Sequence, residues 1–351
     1  MVRLIADKIA AATKNVPLRH EVRCRKDIVA AEGYLVAGRI HGEKAVYNTL
    51  ENTQGRMVPL HDGDIVVGVL GHRKALQGYS GEVPRSIRPG DHLHVLNLGG
   101  VVGRCTSVNP DVGEPFGFEV LGTVLVFPEF GSRTGVPAHV GMNAIRANGS
   151  LGDCPVVFVV GTSMNSGKTL ASCHIIRTLA TAGMKVGACK LTGVSLLRDS
   201  LHMQDYGAAW AVSFMDAGIV TTGPTTALST ARTLISYLVH EGAHVIVAEL
   251  GDGLLGQYGV REILADAEIA RRCNTLILCA NDPVGAWGGV RLLREEFHLT
   301  PHAISGPTTD NAVGTSYIES ALGVPAINAR SDGRRLGTHV LERVRTLGGN
   351  A

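Results

Sequence analysis

The chain has 351 residues, of which 18% are charged and 45% hydrophobic, and carries a net charge of +2 at pH 7. Such a length suits two domains, and interspersed charge with no basic face or tail excludes the electrostatic footprint of a nucleic-acid binder or an anionic-membrane protein, leaving a small molecule as the expected partner. The seven cysteines (24, 105, 154, 173, 189, 273, 279) are scattered, odd in number and form no C-x-x-C; this predicts reduced thiols in a cytoplasmic protein, and no apolar run approaches the roughly 18 residues of a membrane span.

Short β-rich runs fill the chain from about 30 to 127 (GYLVAGRI, DIVVGVLG, HLHVLNLGG, FEVLGTVLVF), separated by Gly, Pro and Asp turns. This spacing predicts a compact β-barrel or sandwich. Polar loop residues there (Arg73, Lys74, Tyr79, Arg104, Asn109) read as surface, with a substrate pocket as the alternative. Residues 128–152 are rich in Gly, Pro, Ser and Asn and read as a connection, so the expected domains are 1–150 and 151–351. After it the pattern predicts strand 155–160, helix 167–182, strand 185–190, helices 203–215 and 225–241, strand 244–250, helix 258–271 and strand 274–280. Short runs near 301–305 and 324–328, a helix 311–322 between them and a last helix 334–346 complete the chain. Strands alternating with longer helices predict an α/β domain, with a mostly parallel sheet and helices on both faces.

The segment VVFVVGTSMNSGKTLASCHII runs an apolar strand through a loop into a helix, the arrangement of a phosphate-binding P-loop. Gly161, Thr162, Ser163, Met164, Asn165, Ser166, Gly167, Lys168, Thr169 and Leu170 are the expected phosphate-binding residues. Loop amides and the helix N-terminus would cradle a polyphosphate, Lys168 would reach its terminal phosphates, and the Thr169 hydroxyl would ligate Mg²⁺. The first glycine sits one residue early, giving G-x5-G-K-T in place of G-x4-G-K-[ST]. Mg²⁺ needs hard oxygen donors. Glu249, ending the apolar strand HVIVAEL ahead of Gly251-Asp252-Gly253, is in a Walker-B-like place. Lys190 ends the second predicted strand, where ligands gather in open α/β sheets. His240-Glu241-Gly242-Ala243-His244 spells H-E-x-x-H, but Gly242 is placed to end the helix, so the two imidazoles are not expected to converge on zinc.

GTSMNSGKT resembles the G-T-x-x-x-x-G-K-[ST] loop of dethiobiotin synthetase and the related amidotransferase-type cobyrinate synthases, which also place the first glycine early. The extra lysine of the partitioning and septum-site ATPases would fall at Ser163. The resemblance spans about 155–330, and Lys190-Leu191-Thr192-Gly193 stands where that family has K-P-V-x-S-G. It implies ATP and Mg²⁺ as cofactors, Lys190 facing the substrate, Glu249 and Asp205 as metal carboxylates, Asn281 contacting adenine and Pro325 packing beside the base, in a homodimer. Asp199 and Asp216 lie close enough to Asp205 to compete for its place. The expected activity is transfer of the γ-phosphoryl group to a small carboxylate or amino-acid-like substrate, with Lys168 and Lys190 catalytic. Asn165 and Leu191-Thr192 depart from dethiobiotin synthetase. DYGAA, FMDAG and LGVPAIN look closer to an uncharacterised P-loop family with an extra N-terminal domain, some of whose members are N-acyltransferases. That resemblance implies acetyl-CoA in the loop as the alternative, and a non-catalytic nucleotide-binding regulator is the third reading.

Overall fold

The computed structural model describes residues 1–129, 131, 134–146 and 149–348. Of the expected connection 128–152, Phe130, Ser132, Arg133, Ala147 and Asn148 lie outside the described residues, as do the last three residues of the expected second domain. The chain divides into two compact units. One comprises Met1–Ala144 with Val194–Arg198 and Met215–Thr221, and the other comprises Ile145–Gly193, Asp199–Phe214 and Thr222–Ala351. No helix among the described residues is long and apolar enough to cross a membrane.

The first unit is β-rich. Its strands are β1 (Val2–Ile5), β2 (Lys8–Ile9), β3 (Glu21–Arg25), β4 (Leu35–His41), β5 (Thr49–Glu51), β6 (Met57–Pro59) and β7 (Ile65–Leu70). They continue as β8 (Arg73–Lys74), β9 (Tyr79–Glu82), β10 (His92–Val95), β11 (Val101–Val108), β12 (Gly117–Val126) and β13 (Val136–Pro137). β12 pairs with β4, β4 with β7, β7 with β11, β11 with β10, and β10 returns to β12, so these strands close on themselves. Closure removes the unpaired edges that an open sheet would expose. Side-chain alternation supports it: Val36, Ile40, Val66, Leu70, Leu93, Val102, Phe118 and Val120 form one buried cluster, while Leu35, Ala37, Val67, Val69, Val101 and Val124 form another. β13 adds to β12, so part of the expected connection belongs to the sheet. Arg73 and Tyr79 are buried, and Arg73 donates to Tyr47 Oη (3.1 Å) and the Leu96 carbonyl, which makes them core groups.

In the second unit six parallel strands lie in the order β16-β15-β17-β14-β18-β19. These are β14 (Val156–Gly161), β15 (Val186–Thr192), β16 (Trp210–Ser213), β17 (Val245–Leu250), β18 (Cys273–Cys279) and β19 (Ala303–Ser305). Every residue of β14 and β17 is buried, as continuous apolar runs require when helices cover both faces of a parallel sheet. The helices are α1 (Lys168–Thr181), α2 (Arg198–Asp205), α3 (Ala227–His240), α4 (Val260–Ala265), α5 (Ala267–Arg272), α6 (Pro283–Phe297), α7 (Ala312–Tyr317) and α8 (Ala329–Gly348). β14 lies between β17 and β18, so the crevice beyond its carboxyl end is the topological switch point where such sheets take ligands. All seven cysteines are free thiols.

Several expected elements differ. The helix expected over 203–215 ends at Asp205 because Gly207 takes φ +103°, and Trp210–Ser213 instead extends the sheet beside β15. The helix expected over 258–271 is two, because Asp266 leaves helical geometry and its carboxylate accepts from the N–H groups of Glu268 (3.2 Å) and Ile269 (2.9 Å). α6 was not expected: Gly285, Gly288 and Gly289 dilute its apolar period, while Asp282 caps it and Pro283 starts it. The run at 324–328 contributes a single bridge, Ile304 to Ala326. α8 starts earlier than expected and breaks at Asp332 (φ −142°, ψ 50°).

Candidate functional site

The loop after β14 is shaped by two left-handed residues, Asn165 (φ +58°) and Gly167 (φ +89°), the second of which caps α1. Alternation of this kind turns successive N–H groups toward one side and makes an anion nest. The displaced Gly161 has a steric cause. A Cβ there would stand 2.3 Å from Ser166 Oγ and 2.8 Å from Lys168 Cδ, so a side chain would push the loop off its own lysine. Lys168 is 6% exposed and donates to the Ser163 carbonyl (2.7 Å) and Ser166 Oγ (3.4 Å). Burial lowers its pKa, Glu249 opposes that, and Lys190 adds to it.

Beside the loop, four polar side chains from four segments meet. Thr169, in the first turn of α1, has its hydroxyl 3.1 Å from Glu249 Oε1 and 3.5 Å from Asp199 Oδ1. Lys190, near the end of β15, lies 3.1 Å from Glu249 Oε1 and pairs with Asp199. Burial alone would lower the Lys190 pKa, but the two carboxylates outweigh it and raise the ammonium above its ordinary range. The register explains the meeting: Lys190 is directly opposite Glu249 in the β15–β17 pairing. A hydroxyl and two carboxylates are the donor set a hard divalent cation takes. Glu249 is 1% exposed and its Oε2 has no hydrogen-bond partner, an open valence that fits such a cation.

Asp205 is not part of this group. It ends α2 and is exposed, whereas Asp199, in the first turn of the same helix, faces Thr169 and Lys190. Six residues are neither three nor four, nor close to two full turns, so the two aspartates cannot share a helix face. Asn281 does reach the loop: its Nδ2 donates to Ser163 Oγ (2.7 Å). Pro325 is exposed, accepts from Ile304 N–H (2.8 Å), and lines a groove of about 530 Å³ with Asp332, Arg335, His339 and Glu342 that includes no loop residue. Leu170 is partly buried and packs against the core of the sheet. In the H-E-x-x-H segment Gly242 takes φ +89° and His244 Nδ1 accepts from Lys185 N–H (3.3 Å), so His244 serves the neighbouring backbone.

Asp252 was missed as a site residue. It is 8% exposed, neither carboxylate oxygen has a hydrogen-bond partner, and its φ is +69°. The only sequence signal was an aspartate between glycines just after a strand-end glutamate.

The apolar strand, the nest, the helix that follows and the glutamate near the end of β17 together have the arrangement of a P-loop fold. No protein-family model matches the chain, and no curated protein matches it. Among solved structures, it is similar to the signal recognition particle receptor FtsY from Elizabethkingia anophelis (16% identity, TM-score 0.39), over 54% of this chain and 65% of that one, just under two thirds of its length. It is also similar to a DUF1611 family protein from Anabaena variabilis (13%, TM-score 0.37; 60% and 64% of the chains). A third is HypB from Helicobacter pylori in complex with nickel (14%, TM-score 0.37; 55% and 88%).

Proposed function

We propose that this chain is an ATP- and Mg²⁺-dependent enzyme that moves the terminal phosphoryl group to a small carboxylate or amino-acid-like acceptor. The observation that carries the reading is the meeting of Thr169, Asp199, Lys190 and Glu249 beside the loop that holds Lys168. The loop amides and Lys168 would hold the phosphates. When bound by Thr169, Asp199 and Glu249, Mg²⁺ would neutralise charge on the phosphate oxygens. Lys190 gives the acceptor side a cation at the crevice. Positioning and charge neutralisation are the main sources of rate in such transfers. The same reading makes the protein a cytoplasmic homodimer, which sedimentation of the purified chain tests.

Thermal shift with ATP·Mg²⁺, GTP·Mg²⁺ and acetyl-CoA is the direct test, because a ligand that binds only the native state adds about 2.7 kcal/mol of stability at a hundred times its Kd. ATP·Mg²⁺ is expected to raise the melting temperature by several degrees, and Lys168→Ala to abolish the rise. Stabilisation by acetyl-CoA alone, or by none of the three, overturns the reading. Release of ADP on addition of candidate acceptors then identifies the substrate.

A further inference from the structure

Two cations have a claim on the same carboxylates. Glu249 Oε1 lies 3.1 Å from both the Thr169 hydroxyl and Lys190 Nζ, while Asp199 turns Oδ1 to Thr169 (3.5 Å) and Oδ2 to Lys190. A divalent ion held by Thr169, Asp199 and Glu249 therefore needs oxygens that the ammonium takes. The Glu249 side chain is 1% exposed and that of Lys190 15%, so water screens like charges poorly there and both cations cannot stay on one oxygen. A single ammonium carries one charge against two carboxylates and leaves Glu249 Oε2 without a partner. A divalent ion carries two.

The stem of the lysine has room to turn. β15 is irregular directly after it, where the pairing with β17 shifts between Lys190 and Thr192. Irregularities of this kind re-aim a side chain beside a site. The end of the stem lies beside two glycines: a Cβ at Gly251 would stand 2.9 Å from Lys190 Cε, and one at Gly193 3.7 Å away. Side chains there would crowd the stem, whereas the glycines let rotation about its last bonds carry the ammonium off Glu249 with the strands unmoved.

We propose that Lys190 is an exchange cation that sets the order of loading: its ammonium yields Asp199 and Glu249 to the divalent ion and is released toward the anionic acceptor. The inference rests on the reading that Thr169, Asp199 and Glu249 hold Mg²⁺ with the nucleotide phosphates, and it gives that site its regulation. While Lys190 is tied to the two carboxylates, an acceptor's anion must compete with both for the same ammonium. Once the carboxylates are on the metal, the ammonium has no partner of its own and the acceptor supplies one. Phosphate oxygens add donors to the ion, which favours the exchange when metal and nucleotide arrive together. The acceptor is thus bound after the metal.

The test makes two measurements on the full chain. In calorimetric titration with Mg²⁺ and no nucleotide, Lys190→Met should bind the ion at least about tenfold more tightly than wild type, because a like charge no longer competes for the oxygens. Lys190→Arg, which keeps the charge, should bind it no more tightly than wild type. The second measurement reads the wild type, so it holds even where Lys190→Met folds poorly. With isotope-labelled lysine, the Lys190 ammonium resonance, recognised by its loss in Lys190→Arg, should move when Mg²⁺ and a non-hydrolysable ATP analogue are added. It should respond to acetate, the simplest carboxylate, only after that. Equal or weaker Mg²⁺ binding by Lys190→Met, a resonance that stays in place in the loaded protein, or a response to acetate without Mg²⁺ overturns the exchange and leaves the metal site standing. Failure of Mg²⁺ to bind any of these proteins, with or without the analogue, overturns both.

Discussion

Glu51 in the β-rich unit and Asp252 in the α/β unit are both buried carboxylates with opposite surroundings. Glu51 has no exposure, and its two oxygens accept from Leu197 N–H (2.6 Å) and Arg198 N–H (2.8 Å). Asp252 is almost as buried and has no such partner. A charge that serves architecture is saturated by the chain's own donors, because each unmade bond in a low-dielectric interior destabilises the fold. A charge left open in the same interior is destabilising until something else binds it. The Lys190, Asp199 and Glu249 group lies between these cases: the ammonium compensates both carboxylates, yet Glu249 Oε2 stays open.

Lys190→Met breaks the comparison at its strongest point. It leaves the buried Glu249 and the half-buried Asp199 without their cation, and the expected loss is about 3 kcal/mol in urea denaturation, the low end for broken buried ion pairs. Millimolar Mg²⁺ is expected to return part of that loss. Unchanged stability would mean that the group is solvated and not an electrostatic unit. Glu51→Gln comes next, at about 2–3 kcal/mol, because one amide oxygen cannot replace two carboxylate oxygens and a backbone donor is left unpaired. A cost near zero would remove Glu51 as the saturated reference.

His302 tests a group satisfied in only one protonation state. Its Nδ1 accepts from Leu276 N–H (3.0 Å), so the ring must stay neutral. Burial, then Arg343 and His339, push its pKa down to about 4 from an ordinary 6.5. Because the folded value is depressed, the unfolded chain takes up the proton first. The contribution to stability is complete above pH 6.5 and is lost as pH falls toward 4. With partial exposure discounted, that is on the order of 1–2 kcal/mol. His302→Asn, which keeps an acceptor but does not titrate, should flatten this part of the pH–stability curve, and an unchanged curve would assign the acid sensitivity elsewhere. The smallest effect has the opposite sign: Asp252→Asn is expected to gain about 1 kcal/mol, since the amide removes a buried charge and asparagine tolerates a left-handed backbone. If it destabilises as Glu51→Gln does, the contrast between saturated and open carboxylates fails.

The geometry of the loop after β14 was legible because everything that makes it lies within ten consecutive residues, and its strand and helix flank it directly. Lys190 and Glu249 were legible because both end apolar strands of a parallel sheet, and parallel strands align their carboxyl ends. The choice among Asp199, Asp205 and Asp216 was not, since it depends on where α2 starts and which face it turns to β15. α6 was hidden because three glycines weaken the one signal that distinguishes a short amphipathic helix from a loop.

By itself the sequence determined the β-rich first half, the strand–helix alternation of the second, the loop after β14 and the charges near strand ends, because each depends on near neighbours along the chain. Only the tertiary structure decided that Lys190 is opposite Glu249, that Asp199 completes the group, and that Asp252 is buried without a partner. Strand register, helix rotation and the saturation of a buried charge are properties of contacts between distant segments, and no local pattern encodes them.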